Sequence, residues 1–132
     1  MGEMGLLSIV LATLAFFIFG ALWYGPLFSK AWQREAGLSE EAIRGGNMAV
    51  IFGLAFLFEM LVVTTLAHTV ARTGASDRAT MMMAVGFGAT IMVPAIGINY
   101  LFQRRSAKLF AIDAGHFVIG MAIVGAVLIA WR

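Results

Sequence analysis

Apolar residues run almost unbroken through four stretches of the chain, Met4–Tyr24, Met48–Ala71, Ala79–Phe102 and Leu109–Trp131, and polar residues gather between them. At ~1.5 Å per residue each stretch exceeds the ~30 Å hydrocarbon core of a bilayer, which about 20 residues suffice to cross. The pattern predicts an all-α protein: one membrane bundle of four transmembrane helices over residues 1–132, with spans at about 4–24, 48–71, 79–102 and 109–131. A soluble core of this size could not hide four such runs. The opening residues MGEMG carry no Lys or Arg, and FGALWYGPLF offers no small-x-small cleavage site. The first run therefore reads as a retained helix and not as a signal peptide.

The polar connections have a pattern of their own. Pro26 after Gly25 suits a helix start. Leu27, Phe28, Ala31 and Trp32 recur at helical spacing, with Lys30, Gln33, Arg34 and Glu35 on the other side and Gly37 as a cap. This predicts a short amphipathic helix over Pro26–Ala36, lying on the membrane surface. Ser39 followed by Glu40 and Glu41 predicts a second short helical turn. Trp23, Tyr24, Trp32 and Tyr100 are expected as an aromatic belt at one interface, with Trp131 at the other.

Composition agrees with the membrane reading. Hydrophobic residues make up 61% and charged residues 12%, against about 25% charged in soluble domains. Cysteine is absent, which excludes a disulfide framework and thiolate chemistry. The net charge is only +2, and the basic residues sit in the loops, so they speak of topology and give no nucleic-acid surface. Lys30, Arg34, Arg44, Arg104, Arg105 and Lys108 fall in the first and third loops, and Arg72, Arg78 and Arg132 on the opposite side. That bias predicts cytoplasmic first and third loops with both termini outside.

Polar residues inside the spans carry the candidate chemistry. Glu59 sits at the middle of the second span, where a charge costs at least ~2.5–3.5 kcal/mol. Counting depth from the loops sets Thr13, Thr90 and Gly120 near it. Two roles suit Glu59: a neutral hydrogen-bond bridge between helices, or a group that exchanges a proton or cation during transport. A shallower cluster comprises Asp113 and His116, three apart on one helix face, with Asn99 expected opposite Asp113 and Asn47 at a similar level. Asp113 is expected to pair with His116 or with the Asn99 amide. This group either ties helix ends together or forms the cytoplasmic mouth of a solute or proton path. Two such ligands are too few for a metal site, and no nucleophile with an oxyanion donor set is visible. No catalytic residue, metal or cofactor is assigned.

The third span is interrupted by Gly86, Gly88, Pro94 and Gly97, and Pro94 predicts a kink that loosens the carbonyl of Thr90. Ala122, Ala126 and Ala130, like Ala111 and Gly115, suggest close helix packing along the fourth span, with Ala84 and Gly88 on the third.

The segments GALWYGPLFSKAW (20–32), GGN (45–47), NYLF (99–102) and RRSAKLFAIDAGH (104–116) resemble the bacterial membrane proteins grouped as domain of unknown function 1761. The resemblance spans nearly the whole chain and implies a four-helix membrane protein; the expected location is the bacterial inner membrane. It implies no catalytic role. The expected function is transport or export of a small solute or ion, proton-coupled through Glu59, with Asn99, Asp113 and His116 at the entrance and Thr13, Thr90, Asn47, Trp23, Tyr24 and Tyr100 in support. A structural or regulatory membrane subunit is the alternative. The expected partners are membrane lipids, further copies in a homo-oligomer, and a small-molecule or ion ligand.

Overall fold

A computed structural model of the chain describes residues 5–132; Met4, the expected first residue of the first span, lies outside the described residues. The first span is α1 (Leu6–Leu22), continued by a π-helical turn over Trp23–Leu27. Two short helices follow, α2 (Ser29–Ala36) and α3 (Glu40–Arg44). The second span is α4 (Met48–Thr73). The third comprises α5 (Asp77–Gly86), a π-helical stretch over Phe87–Met92, and α6 (Val93–Gln103). The fourth is α7 (Ala107–Ala130). All four spans are long and apolar enough to cross a membrane.

Local rules set the helix ends. Asn47, Ser76 and Ser106 accept the backbone N–H of Val50, Ala79 and Leu109, the N-cap bonds that start the last three spans. Ser39 does the same for α3. Gly37 and Gly74 end α2 and α4 in the left-handed conformation, where glycine bears no Cβ penalty. Arg104 adopts that conformation at the end of α6 with φ 59°, and Arg105 N–H closes the turn on Tyr100 O at 2.9 Å.

Pro26 does not start the amphipathic helix. It lies inside the π-helical continuation of the first span, and α2 begins at Ser29. The widened turn runs its backbone bond from Phe28 N–H to Trp23 O at 3.0 Å, which accommodates a residue without an N–H. In the third span the irregularity falls ahead of Pro94, which stands in the first turn of α6.

The helix at the centre is α7. It packs against α1, against the whole third span and against α2, whereas α4 lies at the edge on α1 and α5. Phe16, Val63, Leu66, Ala84, Met121, Val124 and Leu128 form the fully buried apolar core. Glycines permit the approach. A Cβ on Gly88 would stand 2.9 Å from the Phe117 carbonyl oxygen, and one on Gly120 would stand 2.5 Å from the Phe16 ring. Gly120 thus makes room for Phe16 and not for Glu59. Ala126 and Ala130 of the expected alanine stripe are exposed, because the packed face of α7 is the one bearing Gly120 and Gly125.

The two ends are tied differently. At one end Ser106 Oγ–H donates to Glu35 at 2.6 Å and Arg105 donates to Ala36 O at 3.1 Å, fixing α2 to the α6–α7 loop. At the other, Arg132 donates to Ala75 O and Thr80 Oγ1 and pairs with Asp77, and the Ser8 hydroxyl donates to Trp131 O.

Gly88→Ala is expected to lower unfolding stability in detergent by about 1–3 kcal/mol, because its new methyl meets backbone that cannot step aside. Gly53→Ala, on the open face of α4 with nothing within 4 Å, is expected to be neutral or stabilising by up to ~1 kcal/mol.

Candidate functional site

Beneath α2, the face of α7 that begins at Ile112 is polar. Asp113 and His116 are each only 7% exposed. They lie about 9 Å and 14 Å along α7 from Ala107, at ~1.5 Å per residue. A carboxyl buried among apolar helices needs donors for both oxygens, and two other spans supply them. The Tyr24 hydroxyl donates to one Asp113 oxygen, and the Tyr100 hydroxyl donates to the other. Tyr24 comes from the π-helical turn of the first span and Tyr100 from α6, so one carboxyl joins three spans. Beside it, Trp23 Nε1–H donates to the Ile112 carbonyl at 2.9 Å, and the Trp23 ring lies where a side chain on Gly115 would stand.

His116 faces the same interior one turn further in. Its ring stacks on Phe19 at 5.8 Å with parallel planes and on Phe16 at 5.3 Å, while Tyr24 at 5.0 Å and Phe117 at 5.1 Å close the remaining sides. A Cβ on Gly20 would stand 3.0 Å from Nε2. Both ring nitrogens are buried, and among the described residues neither has a hydrogen-bond partner. Each such orphan costs about 1–3 kcal/mol. Asp113 and His116 therefore form no ion pair: the tyrosines occupy the carboxyl, and the aromatic box holds the imidazole.

The other expected site residues are placed as follows. Asn99 is exposed on α6, and it is its neighbour Tyr100 that turns to Asp113. Asn47 is exposed and serves as the cap of α4. Arg104, Arg105 and Lys108 form no ion pair with Asp113. Thr13 is fully buried but donates to its own backbone at Ile9 O, 2.7 Å away. Thr90 is exposed and donates to Gly86 O at 2.5 Å. Neither threonine reaches Glu59, whose Oε1 is buried without a partner among the described residues. Glu59 shares its helix face with Val63, Leu66 and Val70, all buried. Equal depth does not mean equal azimuth, and Thr13 and Thr90 face elsewhere. Tyr24 and Tyr100 lie near the ends of their spans, and their hydroxyls turn inward to Asp113. The signal for this is Asp113 itself, an ionisable residue inside a span whose two carboxyl oxygens call for donors.

The model for the family described as Protein of unknown function (DUF1761) matches residues 7–129. The chain belongs to this DUF1761 family. No match is found among curated proteins or among solved structures. The match covers every residue of the cluster on this DUF1761 chain, from Thr13 to His116. Among the described residues no three His, Cys, Asp or Glu side chains meet as a metal site. What the cluster offers is a buried imidazole with two free nitrogens beside a carboxyl already held by two phenols.

Tyr24→Phe and Tyr100→Phe are each expected to cost about 1–3 kcal/mol of stability. The double variant should depart from additivity, because both act on one carboxyl; equal and additive losses would count against a shared partner. Outside the membrane, the Ser106 hydroxyl holds the Glu35 carboxyl below the usual carboxylate range. A lowered folded-state value gives stability that is present above the ordinary Glu range and lost as pH falls through the folded value. Protection of the α2 amides, corrected for the intrinsic exchange rate at each pH, should therefore fall on acidification below about pH 4.5 in wild type, and Ser106→Ala should weaken that dependence.

Proposed function

We propose that this membrane protein passes a small solute or ion across the bilayer with a proton as the coupled species, and that His116 is the residue that takes the proton up. The observation that carries the reading is the imidazole with both nitrogens buried and unpartnered in a transmembrane segment. Such groups are costly in hydrocarbon, and ionisable residues at this depth mark ion and substrate paths. Packed aromatic rings surround His116, so the ligand needing least space, a proton, suits it best. Glu59, with its own unpartnered oxygen at mid-span, is the second exchanging group in this reading. Asp113 with Tyr24 and Tyr100 forms the polar mouth beneath α2, and Trp23 ties the first span to α7 beside it; Asn47 starts the second span. Four spans enclose little volume, so the path is completed between copies in a homo-oligomer. The excess of Lys and Arg at the α2 end orients that end to the cytoplasm of a bacterial inner membrane, with both termini outside.

One observation favours a second reading, a structural or regulatory subunit: the Tyr24–Asp113–Tyr100 bridge locks three spans without need of a ligand. His116→Phe separates the two, since phenylalanine fits an aromatic box and removes the orphan nitrogens. In lipid vesicles with an imposed pH gradient, wild type is expected to dissipate the gradient faster than empty vesicles. His116→Phe should return the rate to that of empty vesicles while melting no lower than wild type. Glu59→Gln should slow dissipation without unfolding the protein. A wild type no faster than empty vesicles, with His116→Phe more stable by about 1–3 kcal/mol, would sink the transport reading and leave the scaffold.

A further inference from the structure

On the outer face of the third span, away from Asp113 and His116, a shallow open groove runs along α5 into the π-helical stretch, lined by residues of this span alone. Its lining recurs at helical spacing, from Arg78 through Met82, Val85 and Gly86 to Ala89 and Thr90. Apart from Arg78 at its mouth, the lining is almost wholly apolar. The single hydroxyl, Thr90, is turned back to the Gly86 carbonyl. The groove is roughly 18 Å long at ~1.5 Å per residue, close to one leaflet's share, about 15 Å, of the ~30 Å hydrocarbon core. Arg78 lies in the first turn of α5, and the end of a membrane span is where lipid headgroups are expected. Its neighbour Asp77 pairs with Arg132 at 3.3 Å, and among the described residues Arg78 is in no ion pair.

We propose that this groove holds one acyl chain of an anionic phospholipid, whose phosphate pairs with the Arg78 guanidinium. The guanidinium supplies a donor fork matched to phosphate oxygens, and the groove below it supplies an apolar bed of one leaflet's length. Methionine fits this use, because its flexible thioether moulds to a mobile chain. Gly86 opens the bed: a Cβ there would meet nothing within 4 Å, so any side chain at this position would project into the groove.

The test is native mass spectrometry and thermal melting of the full chain in detergent, titrated with dioleoylphosphatidylglycerol, dioleoylphosphatidylcholine or glycerol phosphate. Wild type should bind one phosphatidylglycerol per chain about fivefold more tightly than phosphatidylcholine, the preference expected of one interfacial cation. Arg78→Gln should abolish the preference, while Arg72→Gln, on the same side but outside the groove, should keep it. Gly86→Leu should weaken both lipids and leave the lipid-free melting temperature unchanged; should it melt lower, Ala89→Leu fills the groove from an exposed position. Equal affinity for the two lipids would overturn the proposal, and so would glycerol phosphate stabilising as much as the intact lipid. Undiminished phosphatidylglycerol binding with a filled groove would overturn it too.

Discussion

Asp113 places its carboxyl on the most enclosed helix of the bundle, where the packed spans leave it only 7% exposed, and this demand for donors organises the α2 end. In hydrocarbon each unsatisfied polar atom costs several kcal/mol. The donors come from opposite sides, Tyr24 at the end of the first span and Tyr100 near the end of the third. Both helices must then close over α7 in fixed register. That closure brings Trp23 to the Ile112 carbonyl, and it seals His116 behind Phe16, Phe19 and the Tyr24 ring. It also sets α2 above the α6–α7 loop, where Ser106 caps α7 with one lone pair and donates its proton to Glu35. Satisfying one carboxyl thus leaves another polar ring unsatisfied, and that second group is where chemistry can enter.

The four spans and the membrane class were legible in the sequence because hydropathy and length are one-dimensional properties, and a bilayer imposes them on each helix separately. Ser39 and Gly37 were legible too, since capping is local. Which helix occupies the centre was not legible. All four spans are strongly apolar, and hydropathy reports compatibility with lipid, not contact with a neighbour. The alanines at 122, 126 and 130 pointed to one face of α7, yet the face used is the one where Gly120 and Gly125 admit Phe16 and Ala84. Pro26 misled for a local reason: a π-helical turn can absorb it without ending the span.

The site was legible in part. Asp113 and His116 stand out in the sequence as ionisable residues inside a span, three apart on one helix face, and in the structure both are buried. Their partners were misread because depth counting is blind to direction around the helix. It grouped Glu59 with Thr13 and Thr90, whose hydroxyls return to their own backbones. It also set Asn99 against Asp113, although the adjacent Tyr100 points there. Tyrosine at an interface is ordinarily an anchor, and the inward turn of Tyr24 and Tyr100 depends on a carboxyl from a distant part of the chain.

The central claim is that the buried His116 imidazole exchanges protons. The most direct measurement is ¹⁵N magnetic resonance of the histidine side chains in lipid, followed across the pH range in which the protein stays folded. The account predicts that the His116 nitrogens pass reversibly from a neutral to a doubly protonated ring, with Tyr24 and Tyr100 resonances moving in step. A His116 ring that keeps one neutral tautomer until the protein unfolds would contradict it.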